Sequence, residues 1–219
     1  MTAETLDPST LQDLGRASVQ IVHDLKNQLN GLKLYATFLR KRMETSERPQ
    51  DELEAMAKLI AGLDRTAENL TALVRYGRPI ELRTQPGVLL GKILSGLQSK
   101  VAEGRQIQLD LEDDSIVGDF DFVALSDALK SITKGALKMC HNDDPLLIRQ
   151  RRDNQCRATR VLVEWRNIET GDRDVFRSFA GSDGLRMALA AKVIEAHHGS
   201  VEQQDGALCV NLPIQERVN

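Results

Sequence analysis

The sequence is poor in the residues that most often announce a ligand or a compartment. Five phenylalanines, two tyrosines and one tryptophan amount to 4% of the chain, too few for a base-stacking platform on single-stranded nucleic acid. Cys140, Cys156 and Cys209 are odd in number and form no C-x-x-C pair, so neither a disulfide framework nor a zinc site is indicated. No apolar run approaches the roughly 18 residues of a membrane span, and the start lacks a basic-then-apolar stretch with a small-residue cleavage site. A cytoplasmic protein with no membrane partner is expected. The net charge of −3 gives no general attraction to nucleic acid or anionic lipid, so the expected partner is another protein. A chain of 219 residues, 41% hydrophobic, admits one or two domains. No internal repeat or low-complexity segment is present.

What the sequence has is helical periodicity. Leu11, Leu14, Ser18, Ile21, Leu25, Leu29, Leu32, Ala36 and Leu39 keep the spacing of a helix with one buried seam. It opens around Asp7-Pro8-Ser9, where Asp7 or Ser9 caps and Pro8 fits the first turn, and runs to about Met43. Thr45 to Pro49 reads as a turn. Leu53, Met56, Ile60, Leu63, Ala67, Leu70 and Val74 then alternate in the manner of a coiled-coil seam. Residues 1–80 are therefore predicted to form an antiparallel helical hairpin. One hairpin leaves apolar stripes uncovered, so a homodimer closing into a four-helix bundle is expected. A plain dimerisation coil fits the same pattern.

His23 stands out on the first helix. It lies two residues past Ile21, about 200° around a helix of 3.6 residues per turn, so it faces away from the seam. Asn27 and Asn30 share its face, and Gln20 and Arg16 continue the stripe backward. Asp24 is placed to reach sideways and fix the imidazole tautomer. An outward imidazole beside a carboxylate suits phosphoryl chemistry on nitrogen, although a polar stripe alone is more often an ordinary solvated helix face.

After Tyr76-Gly77-Arg78-Pro79 the pattern becomes mixed. Helices are predicted over Val88 to Ala102, Phe122 to Met139 and Gly184 to His197. Strands are predicted over Gln106 to Leu111, Leu146 to Arg151 and Arg160 to Arg166, with Ser200 to Gln204 and Ala207 to Leu212 as a closing hairpin around Asp205-Gly206. Residues 81–219 then make a layered α/β domain, a sheet with helices on one side.

These residues resemble the bacterial two-component sensor histidine kinases from about Ser18 to Pro213. His23-Asp24-Leu25-Lys26-Asn27 is similar to the phosphoacceptor motif, and Val175-Phe176-Arg177-Ser178-Phe179 to the phenylalanine motif of the ATP domain. Gly184 to Ala188, continuing through Val193 to Val201, resembles the last glycine box with its following helix and strand. The resemblance implies an α+β fold in which the hairpin precedes a histidine-kinase-like ATPase sandwich.

The departures imply that this sandwich is degenerate. The positions matching two asparagines, one of them a magnesium ligand, read Ser131 and Gly135, and glycine offers the metal no oxygen. Where an Asp-x-Gly-x-Gly loop would follow the strand ending at Arg166, the text is Asn167-Ile168-Glu169-Thr170. The second glycine of the last box is Arg186, and the lid has shrunk to Ala180-Gly181-Ser182-Asp183. A chain that keeps the phosphoacceptor without a nucleotide site resembles the dimeric histidine phosphotransferases of bacterial phosphorelays. That resemblance implies that His23 carries phosphate between receiver-domain aspartates of response regulators and that Asp24 orients it. Arg16, Gln20, Lys26, Asn27 and Asn30 would line the docking face, and Asn27 is alternatively placed to hold a hydrolytic water. No cofactor is implied; the receivers bring magnesium, and ATP is not bound. A weak sensor kinase and an inert pseudokinase scaffold that sequesters a regulator are the alternatives.

Other clusters carry less. His197 and His198 are adjacent, so on a helix they diverge by about 100° and do not chelate together. His141 beside Cys140 lacks further ligands. Arg149, Arg151, Arg152, Arg157 and Arg160 gather around a hairpin, where a solvated loop is the simpler reading in an acidic chain.

Overall fold

The computed structural model describes residues 8–44, 49–101, 105–140, 144–153, 159–179, 181–204 and 206–215, without the side chains of 8–21, 23, 99–101, 181 and 182. His141, Cys156, Arg157 and Asp205 lie outside that set. The chain forms two compact units, Met1–Pro79 and Ile80–Asn219.

The first unit holds two long helices, α1 (Pro8–Glu44) and α2 (Gln50–Gly77). Asp51 and Glu52 occupy the first turn of α2, where negative charge is favoured by the helix dipole. Pro79 follows its end and prevents continuation. The helices pack side by side, and Lys33 Nζ meets Asp64 Oδ1 at 2.5 Å. Every position of the predicted α2 seam, from Leu53 to Val74, is half-buried. The predicted α1 seam is corrected in part: Leu29 and Ala36 lie on the inner face, Leu25, Leu32 and Leu39 do not, and the side chains of Leu11, Leu14, Ser18 and Ile21 lie outside the described residues. The inner face of α1 is Val22, Lys26, Leu29, Lys33, Ala36, Arg40 and Met43, all half-buried or buried. Leu25, Leu32 and Leu39 are 44%, 56% and 48% exposed. The lysine and arginine stems cover α2, with Lys33 ending on Asp64 and Arg40 on Glu44, which leaves the leucines on a neighbouring stripe.

The second unit runs β1 (Gln85–Leu89), α3 (Leu90–Val101), β2 (Ile107–Leu111), β3 (Val117–Phe120), α4 (Phe122–Met139), β4 (Leu146–Asp153), β5 (Arg160–Arg166), α5 (Gly181–Ala196), β6 (Ser200–Gln204) and β7 (Ala207–Pro213). The main sheet has the order β2-β4-β5-β7-β6. Its β2–β4 pair is parallel and the others are antiparallel. The parallel pair requires a crossover, and α4 lies within it.

Two strands depart from the sequence reading. The helix expected from Val88 begins at Leu90, because Gln85–Leu89 pairs antiparallel with Val117–Phe120 and the Leu90 N–H is taken by the Ile116 carbonyl at 3.0 Å. Gly87, at φ +71°, supplies the irregular backbone of this short ladder.

One face of the main sheet is buried. Ile148 of β4, Val161, Val163 and Trp165 of β5, and Leu208, Val210 and Leu212 of β7 form one core with Leu90, Ile93 and Leu94 of α3 and Leu125, Leu129 and Ile132 of α4. Trp165 Nε1 donates to Thr133 Oγ1 at 2.9 Å, tying sheet to helix in a fully buried place. A buried indole N–H requires such a partner.

Candidate functional site

The predicted phosphoacceptor stripe lies on the unbroken helix α1, where His23, Asn27 and Asn30 occupy one face by backbone register. Asp24, Asn27 and Asn30 are exposed and Lys26 is half-buried on the flank turned toward α2. The side chains of His23, Arg16 and Gln20 are outside the described set. Farther along, Leu34 and Phe38 are 71% and 61% exposed, so the polar stripe grades into an apolar one.

The other candidate place is the groove between α4 and α5. Asp121 caps α4, its Oδ1 accepting from the N–H groups of Val123 and Ala124 at 3.1 and 2.9 Å. Those backbone bonds, the largest influence, hold its carboxyl below the ordinary carboxylate range, with burial opposing them. In the C-terminal third of α4, a Cβ on Gly135 would stand 2.6 Å from the Met187 sulfur of α5. Lys138 Nζ reaches Asp183 Oδ2 at 2.6 Å. What remains between the helices is a cavity of about 220 Å³, lined among others by Met139, Val175, Ser178 and Met187. Ser131 turns its hydroxyl back to the Asp127 carbonyl at 2.9 Å.

The segment after β5 is pinned where a glycine-rich loop was absent from the sequence. Asn167 is left-handed at φ +65°, a conformation asparagine tolerates better than most residues, and its Nδ2 donates to the Pro145 carbonyl at 3.1 Å. Ile168 forms a β-bridge with Cys140 and the Glu169 N–H donates to the Met139 carbonyl at 2.9 Å. Ile168 is buried.

His197 and His198 end α5 in a Schellman arrangement. His198 is left-handed at φ +60°, and the Gly199 and His198 N–H groups return to the Ile194 and Glu195 carbonyls. His197 is 3% exposed; its Nδ1 bonds the Val193 carbonyl at 2.8 Å and its Nε2 accepts the Asp121 N–H at 3.0 Å. Both ring nitrogens are engaged in structure. Among the described residues, no group of three or more His, Cys, Asp or Glu comes together to hold a metal.

The basic cluster is largely neutralised in place. Arg149 and Arg151 share Asp110, Arg152 meets Asp113, and Arg160 bonds Asn211 and the His198 carbonyl. The Arg151 guanidinium is the main reason that the Asp110 carboxyl sits below its usual range. Cys140 and Cys209 are buried free thiols. Burial, aided by Glu164 and Glu202, pushes Cys209 to about 11, which leaves it a poor nucleophile. The Asp121–His197 pairing was not visible in the sequence, since no short motif joins the two positions.

No helix of the described residues is long and apolar enough to cross a membrane. No protein-family model and no curated protein sequence matches the chain. Solved structures match it in shape. The full-length histidine kinase ShkA, in a crystal structure with AMPPNP, superposes with a TM-score of 0.70 at 17% identity over 93% of this chain and 47% of its own. This chain thus spans about half the length of ShkA. The Acinetobacter baumannii histidine kinase AdeS superposes with a TM-score of 0.56 at 15% identity over 89% of this chain and 98% of its own. The likeness is one of architecture: this chain has a histidine-kinase-like fold.

Proposed function

We propose that the chain is a histidine phosphotransferase of a two-component phosphorelay, passing a phosphoryl group between receiver-domain aspartates of response regulators through His23. In this reading α1 and α2 form an antiparallel hairpin, residues 1–80 are the phosphotransfer and dimerisation domain, and residues 81–219 are a degenerate ATPase-like domain. Two copies pair as a four-helix bundle, and Leu25, Leu32 and Leu39, exposed at seven-residue intervals, supply the apolar stripe that such pairing needs.

The observation that carries the reading is the α4–α5 groove. ShkA is known with the nucleotide analogue AMPPNP. In this chain Gly135 brings no oxygen to the groove, and the Met187 sulfur is packed onto it. Ser131 points its hydroxyl at its own helix backbone, and the Asn167–Glu169 segment is tied to the end of α4. Losing several ligands at once, at roughly 1.4 kcal/mol per tenfold, removes useful affinity for ATP. The chain then needs no cofactor of its own.

The chemistry follows from the imidazole. A ring nitrogen attacks phosphorus of the donor's aspartyl phosphate; the P–O bond to the donor breaks as the P–N bond forms. The acceptor's aspartate reverses the exchange, with magnesium held by each receiver. Phosphoryl transfer demands mainly alignment and charge compensation. Asp24 orients the imidazole, and Asn27 with Arg16, Gln20, Lys26 and Asn30 forms the docking face of a cytoplasmic protein.

A weak histidine kinase is the second reading, favoured by both solved neighbours being histidine kinases; a scaffold that binds a regulator without chemistry is the third. The test exposes the purified chain to labelled magnesium-ATP and, separately, to labelled phosphorylated receivers. Label is expected from a receiver alone, and none with His23→Gln. Label from ATP selects the kinase, and tight binding without label selects the scaffold.

A further inference from the structure

Gly135 sits inside α4, four residues before its last residue Met139, and within a helix glycine is the poorest residue short of proline and alanine the best. Its presence there calls for a packing reason. The Met187 sulfur supplies one, since it occupies the space in which a Cβ would stand at 2.6 Å, and Met187 itself is 3% exposed. A second close approach lies one turn earlier on α5. A Cβ on Gly184 would come within 2.7 Å of the Ser178 carbonyl oxygen, so the chain segment leading into α5 lies directly on the helix. A third contact crosses the groove, Lys138 Nζ to Asp183 Oδ2 at 2.6 Å. Asp183 stands in the first turn of α5, where the helix dipole favours its charge.

We propose that the chain narrows this groove itself: Met187 is a plug seated on Gly135, beside the cavity of about 220 Å³ that remains, and the Ser178–Gly184 and Lys138–Asp183 contacts hold α5 in the plugged position. The degenerate domain is then locked in one closed arrangement by packing, and its state does not depend on nucleotide. The inference rests on the reading above in one respect, that no nucleotide is bound, and adds its internal cause. It also bears on regulation: the phosphotransfer rate should be indifferent to ATP concentration, with flux set by the receivers alone.

Alanine at position 135 separates the possibilities by sign. Helix propensity by itself makes Gly135→Ala stabilising, whereas a Cβ driven into a packed sulfur makes it destabilising. In the 219-residue chain, Gly135→Ala should lower the thermal midpoint by at least about 2 °C. In a Met187→Ala background, the same change should raise it. A midpoint raised in both backgrounds, or lowered equally in both, overturns the plug. Gly135→Asn, which restores the kinase-type residue, should cost more than alanine in the parent and lose most of that cost once Met187 is alanine; equal costs in the two backgrounds again overturn it. If either glycine variant fails to fold in the parent, recovery of a cooperative melt in the Met187→Ala background counts for the plug, and failure there counts against it. A fluorescent trinitrophenyl-ATP titration with magnesium reads the other premise. Micromolar uptake by the parent chain would defeat the phosphotransferase reading, while the sign reversal in melting decides the plug independently.

Discussion

The backbone N–H of Asp121 donates to Nε2 of His197 at 3.0 Å, across 76 residues of sequence. The residue that caps α4 is thereby joined to the residue that closes α5. With Nε2 accepting, the proton of neutral His197 must lie on Nδ1, which faces the Val193 carbonyl at 2.8 Å. Protonating Nε2 would set two donors against each other and undo the bond. Asp121 also holds the Arg83 N–H through Oδ2 at 2.8 Å, so the same residue anchors the segment that enters the second unit.

Acid should therefore weaken the second unit in two stages. Burial, the largest influence, lowers the pKa of His197, against the Val193 bond and the Asp121 charge, which raise it. Above about 6.5, the unfolded value, both states are neutral and the contribution is complete. Below it the unfolded chain takes up a proton that the folded one refuses, so stability falls until the pH passes the folded pKa. Each unit of difference is worth about 1.4 kcal/mol. Asp121, whose pKa is lowered on folding, adds a second loss as the pH falls below about 4. Urea midpoints at pH 7.5, 6 and 5 should decline in the parent and stay nearly level in His197→Gln. An equally steep decline in the variant would assign the effect elsewhere.

Gln150 is a flaw in an otherwise apolar face. It lies on β4 opposite Leu111 and Val163, is 1% exposed, and neither its Oε1 nor its Nε2 has a partner among the described residues. A buried polar group without a bond costs about 1–3 kcal/mol. Gln150→Met keeps the length and removes the polar atoms. It should stabilise the chain by about 1–2 kcal/mol, measured as a higher denaturant midpoint with unchanged slope; a lower midpoint would mean that the amide is satisfied.

How far these features were legible in the sequence depends on the range of the interaction. The bounds of α4 and β5 were legible because each combines a strong period with a local stop signal: Asp121 caps α4, and the β-branched alternation of β5 ends before Asn167. β1 and β3 were not, since Pro86-Gly87 and Gly118-Asp119 suppress strand signals and the apolar run from Val88 blends into α3. On α1 the period was legible but its partner was not. Lysine and arginine stems at Lys26, Lys33 and Arg40 face α2, so Leu25, Leu32 and Leu39, whose spacing reads as an internal seam, are left outward. Gly135 could be read as the loss of an oxygen; its use as a seat for Met187 depends on a residue on another helix, which no spacing rule connects.

That outward stripe makes a prediction about assembly. Burying a leucine contributes roughly 1.5–3 kcal/mol, and a second copy is the proposed cover for Leu25, Leu32 and Leu39. Leu32→Glu with Leu39→Glu should turn a sedimenting dimer into a monomer without lowering helix content, because both side chains are about half exposed within one chain. Leu63→Lys with Leu70→Lys strikes residues half-buried in the α1–α2 contact and should reduce helicity as well. A dimer that survives the α1 changes would place the interface elsewhere.

The last prediction separates the roles on the phosphoacceptor face. If His23 is the nucleophile, His23→Ala should abolish labelling from a phosphorylated receiver, and the label on the parent should be lost in acid and retained in base, as a phosphorus–nitrogen bond requires. Asp24 is exposed on the same helix, and as the orienting carboxylate it contributes alignment and charge support without forming a bond to phosphorus. Asp24→Asn should therefore slow transfer on the order of 10²-fold with the same acid-labile product. Asn27, one turn further on, should leave the transfer rate within about threefold when changed to alanine, since an exposed amide on a docking face is a weak contributor. If it positions hydrolytic water, the phosphohistidine of Asn27→Ala should persist longer than that of the parent. Stopped-flow transfer and decay of the isolated phosphoprotein measure these two quantities separately. A labelled Asp24→Asn chain that transfers at the parent rate would remove Asp24 from the mechanism, and labelling that survives His23→Ala would remove His23.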